Sequence, residues 1–446
     1  MVRQGSRPIC RRHLWPFVIP LLLLTLLLVN CGAGSEQDGS QSSGTQQASR
    51  QGATERQSAQ GRLPTEPLEL GFLLDFSGPL ADYGAELLKG FELAIKHINE
   101  AGGVWGMPVE TAIGDTAQEP AIAIEEARRL IDVKQVHGLI GPMSSAMTLA
   151  VAESVSGPGR IPTISPVATS SQITLADDDD FLFRVSFADH IEGRYLAQLA
   201  ESLGYDNVGM LYRNDAFGQG MATAFEEHWQ GTIRAIGIDP GAPSFTSELE
   251  QSTRLGAQAL VLIAFPPESI LILRESLELG YYDTFVFGAT GRAPTISEAI
   301  GPSLLVGMRG TYVAPAPTNL SSEAWLQAYL DEYDEPPALP YVKEAYDATI
   351  ALALAAQAAG SASGADIRDQ LRRIGSAPGL VVIPSPASLS AGLQAARRGD
   401  DIDYQGAAGI LEWDEHGDST HGFIGIWEFT ADGSIADIEV FEFDDQ

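Results

Sequence analysis

From Leu68 onward, short apolar runs alternate with longer stretches in which apolar residues recur every three to four positions. LELGFLL, from Leu68, reads as a buried strand. The following YGAELLKGFELAIKHINEAGG sets Leu87, Phe91, Ala94, Ile95 and Ile98 on one helical face and stops at Gly102. The unit repeats as strand VETAIGD with helix PAIAIEEARRLID, then as strand VHGLIGP with helix SAMTLAVAESV. A second series starts near Asp189, with helix HIEGRYLAQLAESLG. It continues through strands NVGMLYR, TIRAIGI, ALVLIAF and TFVFG, separated by the helical stretches GQGMATAFEEHW, SELEQSTRLG and ESILILRESLELG. Buried strands spaced by helices of this length predict parallel sheets covered on both faces. Two series, each long enough for its own sheet, predict two α/β lobes.

The beginning of the chain has a different pattern. Arg3, Arg7, Arg11 and Arg12 precede an apolar run from Leu14 to Val29 that is short for a stable membrane span, the pattern of a signal peptide. The run ends in Leu28-Val29-Asn30-Cys31-Gly32, which resembles a bacterial lipobox. The resemblance implies cleavage before Cys31 and lipidation of Cys31; Asn30 departs from the small residue usual there. The only cysteines are Cys10 and Cys31, so the mature chain forms no internal disulfide and its stability rests on its core. About 380 residues beyond the tether suffice for that. Gly32 to Gly61, dominated by Gly, Ser, Gln, Ala and charged residues, reads as a flexible linker.

Charge narrows the partners. A formal net charge of -32 disfavours nucleic acid and anionic lipid surfaces. Lys89, Lys96, Lys134 and Lys343 are the only lysines, and so acid-rich a surface suits a salty medium in which self-repulsion is screened.

In open parallel sheets ligands bind beyond the carboxyl ends of strands, which directs attention to the loops GPMSS, SPVATS, YRNDAFG, AFPPES and FGATG. Ser144 and Ser145 open a helix after a strand, where hydroxyls and unpaired N–H groups suit a carboxylate, although Ser144 reads more simply as an N-cap. GPMSSAM lacks the second glycine of a nucleophile elbow, which argues against a serine hydrolase. In IPTISPVATSSQITL, Thr169 can present its hydroxyl and N–H to a ligand, while Ser170 and Ser171 cap the next turn. Asp177 to Asp180 lack the EF-hand pattern and read as a solvated loop. The histidines show no zinc spacing, and GQGMAT misses the third glycine of a dinucleotide fingerprint. No metal, cofactor or catalytic chemistry is expected.

Taken together, the loops resemble the Leu/Ile/Val-binding family of periplasmic substrate-binding proteins, which serve ABC importers. The resemblance runs through SGPLADYGAELLKGFELAIKHINEAGGVWG, GLIGPMSSAMTLAVAE, RIPTISPVATSS, FRVSFADHIEGRYLA, YRNDAFGQG, EAYDATIALALA and YQGAAGILEWDEHGD, in the family's order. It implies a type I periplasmic binding protein fold: two doubly wound parallel-sheet lobes joined by hinge crossovers near Ser186, Val313 and the strands after Gly422. The expected divisions are a signal peptide over 1–30, lipidated Cys31 and linker over 31–66, a first lobe over 67–187 and 314–421, and a second over 188–313 and 422–446. An insertion, PSPASLSAGLQAARRGDD, is expected to be a surface elaboration.

The resemblance also implies ligand contacts. Tyr83 covers the ligand from the first lobe, and Ser145 or Ser144 binds its carboxylate. Val167 and Thr169 hold the α-amine and carboxylate, and Asp189, Phe217 and Phe265 close from the second lobe. Thr290 stands where amino-acid-binding members carry an acid that pairs with the ammonium. Either Asp189 supplies that charge, or the ligand is an amide, urea, or an organic or aromatic acid. The implied partners are a small-molecule solute and an ABC permease, for a monomer lipid-anchored on the extracytoplasmic face. A ligand sensor and an activator of cell-wall enzymes are the rival roles of the fold.

Overall fold

The computed structural model describes residues 63–444. The expected signal peptide, Cys31 and the linker as far as residue 62 lie outside the described residues.

Along the chain the elements are β1 (Glu69–Leu74), α1 (Ala81–Glu100), β2 (Glu110–Asp115), α2 (Pro120–Arg128), β3 (Gly138–Ile140), α3 (Ser145–Val151), β4 (Thr163–Ser165) and β5 (Leu182–Arg184). There follow α4 (Asp189–Ser202), β6 (Asn207–Arg213), α5 (Ala216–His228), β7 (Thr232–Ile238), α6 (Thr246–Ser252), β8 (Ala259–Ile263), α7 (Pro266–Leu279), β9 (Phe285–Phe287), α8 (Pro294–Ile300) and β10 (Arg309–Ala314). The last third holds α9 (Leu320–Tyr333), α10 (Val342–Ala359), α11 (Gly364–Ile374), β11 (Leu380–Val382), α12 (Pro386–Arg398), β12 (Ile402–Tyr404), β13 (His421–Phe429) and β14 (Ile435–Asp444).

One sheet, ordered β2-β1-β3-β4-β5, is parallel throughout. A second, ordered β14-β13-β10-β9-β8-β6-β7, is parallel from β10 to β7. The two-lobe α/β architecture expected from the alternation of strands and helices is therefore present. Periodicity did not anticipate that β13 and β14 join the second sheet antiparallel. They form a hairpin around Thr430–Ser434, and β14 ends the sheet with Asp437, Glu439 and Glu442 exposed, charges that discourage edge-to-edge pairing.

Each central strand reads as a continuous apolar run because both its faces are covered: Leu260, Val261, Leu262 and Ile263 of β8 are all buried. In the first lobe α10 is buried along almost its whole length and packs against α1. The inserted segment departs from expectation. Its helix α12 sinks Leu389, Leu393, Ala395 and Ala396 into the main core, and β11 and β12 pair beside it. The i, i+4 spacing of Leu389 and Leu393 gave the helix an apolar face that a purely surface position would have left wet.

Candidate functional site

Loops from the carboxyl ends of both sheets converge on one cavity. From the first lobe comes Tyr83, in the opening turn of α1. That turn lies close against the end of β1: a side chain at Gly84 would come within 2.0 Å of the Asp75 carbonyl oxygen. The Tyr83 hydroxyl is buried without a hydrogen-bond partner, and burial, eased by the nearby Arg292 guanidinium, pushes its pKa up to about 12.

The serines divide their roles in a way the sequence left open. Ser144 has the extended backbone of an N-cap (φ -81°, ψ 148°), yet its side chain caps nothing and its buried hydroxyl has no partner. Ser145 is structurally committed: its Oγ accepts from the N–H groups of Thr169 (3.3 Å) and Ser170 (3.1 Å). The Thr169 amide, expected to face a ligand, is thus already engaged. The rest of the loop is pinned as well. Ser165 donates to the Pro142 carbonyl at 2.7 Å, and the fully buried Arg184 holds the Ser170 carbonyl (2.9 Å), the Thr174 hydroxyl (2.8 Å) and Asp418 (2.7 Å).

The second lobe supplies aromatic walls. Phe217 and Phe265 stack with ring centroids 5.6 Å apart and planes 18° apart. The Arg213 guanidinium lies 4.0 Å from the Phe265 centroid and is itself held by Asp215 at 2.8 Å and by Glu268. The Thr290 hydroxyl donates to the Ala264 carbonyl at 2.7 Å, tying the β8 and β9 loops together.

Asp189 is fully buried but does not line the cavity. Its carboxylate is directed at α5, where a side chain at Gly220 would meet Oδ2 at 2.2 Å and the Ser170 hydroxyl at 3.2 Å. Neither oxygen has a hydrogen bond of good geometry. Burial pushes the pKa up to about 8; Glu192 and Asp215 add to the rise, and the adjacent Thr169 hydroxyl and Arg184 oppose it. The acid on the wall is Glu192, one turn along α4. Its Oε1 accepts from the Ala289 N–H (2.8 Å) and the Thr311 hydroxyl (2.7 Å), while Oε2 is buried and partnerless. Burial outweighs both bonds and pushes this pKa up to about 7.

Of the expected contacts, Tyr83, Ser144, Ser145, Val167, Thr169, Phe217, Phe265 and Thr290 line the cavity together. Sequence reasoning missed Glu192 and Tyr341. Glu192 was findable as i+3 from Asp189 on the same helical face. Tyr341 had no such signal: it precedes α10 in the left-handed region (φ 74°), a strained position for a tyrosine, and also walls a neighbouring cavity beside Arg292, Tyr312, Lys343 and Glu344. Among the described residues no group of three or more His, Cys, Asp or Glu is placed to hold a metal ion.

The periplasmic binding protein family matches residues 67–389, most of the folded chain. The chain belongs to the periplasmic binding protein family. This binding protein is 28% identical over 298 residues to Leu/Ile/Val-binding protein homolog 7 of Brucella abortus, covering 61% of this chain and 73% of that one. Its fold matches the substrate-binding protein LivJ of Streptococcus pneumoniae in complex with isoleucine (TM-score 0.70, 23% identity, 84% of this chain and 100% of that one). It also matches an R. palustris solute-binding protein in complex with 4-hydroxybenzoate (TM-score 0.70, 17% identity, 85% and 98%). Family membership makes this a binding protein of the extracytoplasmic space rather than an enzyme.

Proposed function

We propose that the protein is the lipid-anchored, extracytoplasmic solute-binding component of an ABC importer, capturing a branched-chain or other amino acid by closure of two lobes. The observation that carries the reading is a single cavity walled from both sides: Tyr83 and Ser144 from one sheet's loops, Phe217 and Phe265 from the other's, all buried. A solute docks first on the loops bearing Ser144, Ser145, Val167 and Thr169. The aromatic pair and Thr290 then close over it, with Asp189 behind the Thr169 loop. A ligand favours closure only by the contacts the closed form adds, so the second wall sets how far the equilibrium moves. The closed form is what a permease would recognise.

On this reading lobe 1 spans 67–187 and 314–421, lobe 2 spans 188–313 and 422–446, and the monomer hangs from lipidated Cys31. On the same reading, the hinges are the crossovers near Ser186, Val313 and Gly422. Capture of a small aromatic or other organic acid is the second reading, favoured by the stacked Phe217–Phe265 pair and by the 4-hydroxybenzoate complex of the R. palustris neighbour.

Thermal-shift screening of the mature protein against amino acids, amides and small acids tests the proposal. A saturable rise in Tm with one class is expected, and no rise with any of them would overturn it. Cys31→Ser should abolish incorporation of labelled fatty acid and release the protein from the membrane fraction; retention of the label would refute the anchor.

A further inference from the structure

We propose that Glu192 is the counter-charge for a ligand ammonium, so that the solute is an amino acid rather than an aromatic or aliphatic carboxylic acid. The assignment rests on the solute-binding reading above. Its basis is a mismatch at one atom. Glu192 is 1% exposed and lines the cavity, and its Oε1 is satisfied by Ala289 and Thr311, yet Oε2 is buried with no hydrogen-bond partner. A buried acceptor without a donor is expensive, and a ligand that brings a donor relieves that cost.

An ammonium brings N–H donors and a positive charge together. A ligand carboxylate at the same place would bring like charge. Of the other two candidates for the ammonium, Thr290 donates to Ala264, and Asp189, though also without a hydrogen-bond partner, does not line the cavity and is directed at Gly220. At the first lobe the partnerless hydroxyls of Ser144 and Tyr83 remain for the other end of a zwitterion.

The groups that face Glu192 are the Thr311 hydroxyl from β10, the Ala289 amide after β9, Tyr341 ahead of α10 and Asp189 on its own helix. None of these is a cation. Binding an ammonium therefore draws the Glu192 proton off below about pH 7, and affinity should fall as the medium is acidified.

Calorimetry on the mature protein decides it, with the protein amino acids one at a time, and with benzoate, 4-hydroxybenzoate and 4-methylpentanoate as acids without an amine. Glu192→Gln keeps an oxygen for Ala289 and Thr311 and replaces Oε2 by an uncharged NH2 group. The amino acid that binds wild type should lose about 100-fold in affinity in this variant, with the ligand-free Tm retained. Wild-type affinity should fall about fivefold between pH 7 and pH 6, and that dependence should vanish in the variant. Equal binding of an amine-free acid by both proteins would overturn the assignment while leaving the solute-binding reading intact. So would amino-acid affinity that rises on acidification, since a protonated Glu192 would then be donating. Binding of no probe by wild type would remove the solute-binding reading and the assignment with it.

Discussion

Ser144 and Ser145 are adjacent, both buried and both hydroxyl-bearing, yet the geometry gives them opposite duties. Ser145 fastens the Thr169–Ser170 amides, and Ser144 fastens nothing. Ser144→Ala should therefore weaken solute binding by about 1–3 kcal/mol while leaving the ligand-free Tm unchanged. Ser145→Ala strands two buried amides and should lower stability by about 1–3 kcal/mol, with affinity falling as a consequence. Calorimetry and thermal unfolding on both variants check the split; reversed effects would exchange the roles. The sequence pointed to the pair but could not divide the work, because which hydroxyl turns toward the neighbouring loop depends on how β3 and β4 are placed side by side. The same limit explains Asp189 and Glu192. Both acids were visible on one helical face, but only the approach of Gly220 on α5 decides which of them is turned away from the cavity.

At the scale of elements, α10 holds the chain from Tyr404 to Ala408 in place through Asp347. Its fully buried carboxylate accepts from the Tyr404 hydroxyl (2.6 Å) and from the Ala407 and Ala408 amides (both 2.8 Å). The Ala408 carbonyl in turn accepts from the Ala316 N–H at 3.1 Å, just beyond β10. The two motifs EAYDATIALALA and YQGAAG, distant in sequence, are thus halves of one contact. Asp347→Ala leaves three buried donors unpaired and should lower stability by about 3 kcal/mol or more, whereas Asp347→Asn, which keeps an acceptor, should cost clearly less. Denaturant unfolding of both variants measures this, and equal losses would show that the carboxylate charge matters more than its hydrogen bonds. The order of strands and helices was legible from period and turn residues. The depth of α12 was not, because an amphipathic helix looks the same in sequence whether its apolar face meets a loop or the main core.

Across the whole molecule, buried acids link stability to pH. Burial raises the carboxyls of Asp75, Glu192 and Glu344 to about 7, Asp189 to about 8 and Asp347 to about 6. A carboxyl whose folded pKa is raised keeps its proton in the native state over a range in which the unfolded chain has already lost it. The native state then binds more protons, so stability falls as pH rises from about 4 to about 8. The net charge of -32 at pH 7 adds self-repulsion in the same direction, but salt screens only that part. The ligand-free Tm should decline between pH 5 and pH 8 and keep most of that decline in 1 M salt. A level Tm in salt would assign the whole effect to surface repulsion.

The sequence by itself determined the alternation of strand and helix, hence two parallel-sheet lobes, and determined which loops could meet a ligand, because periodicity and turn chemistry are local. Tertiary structure alone decided which polar atoms in those loops are spent on one another and which stay free, since that depends on distances between segments far apart in the chain. On that ground Thr290, the Thr169 amide and Ser145 belong to the framework, and Ser144, Tyr83 and Glu192 keep the unpartnered atoms in the cavity.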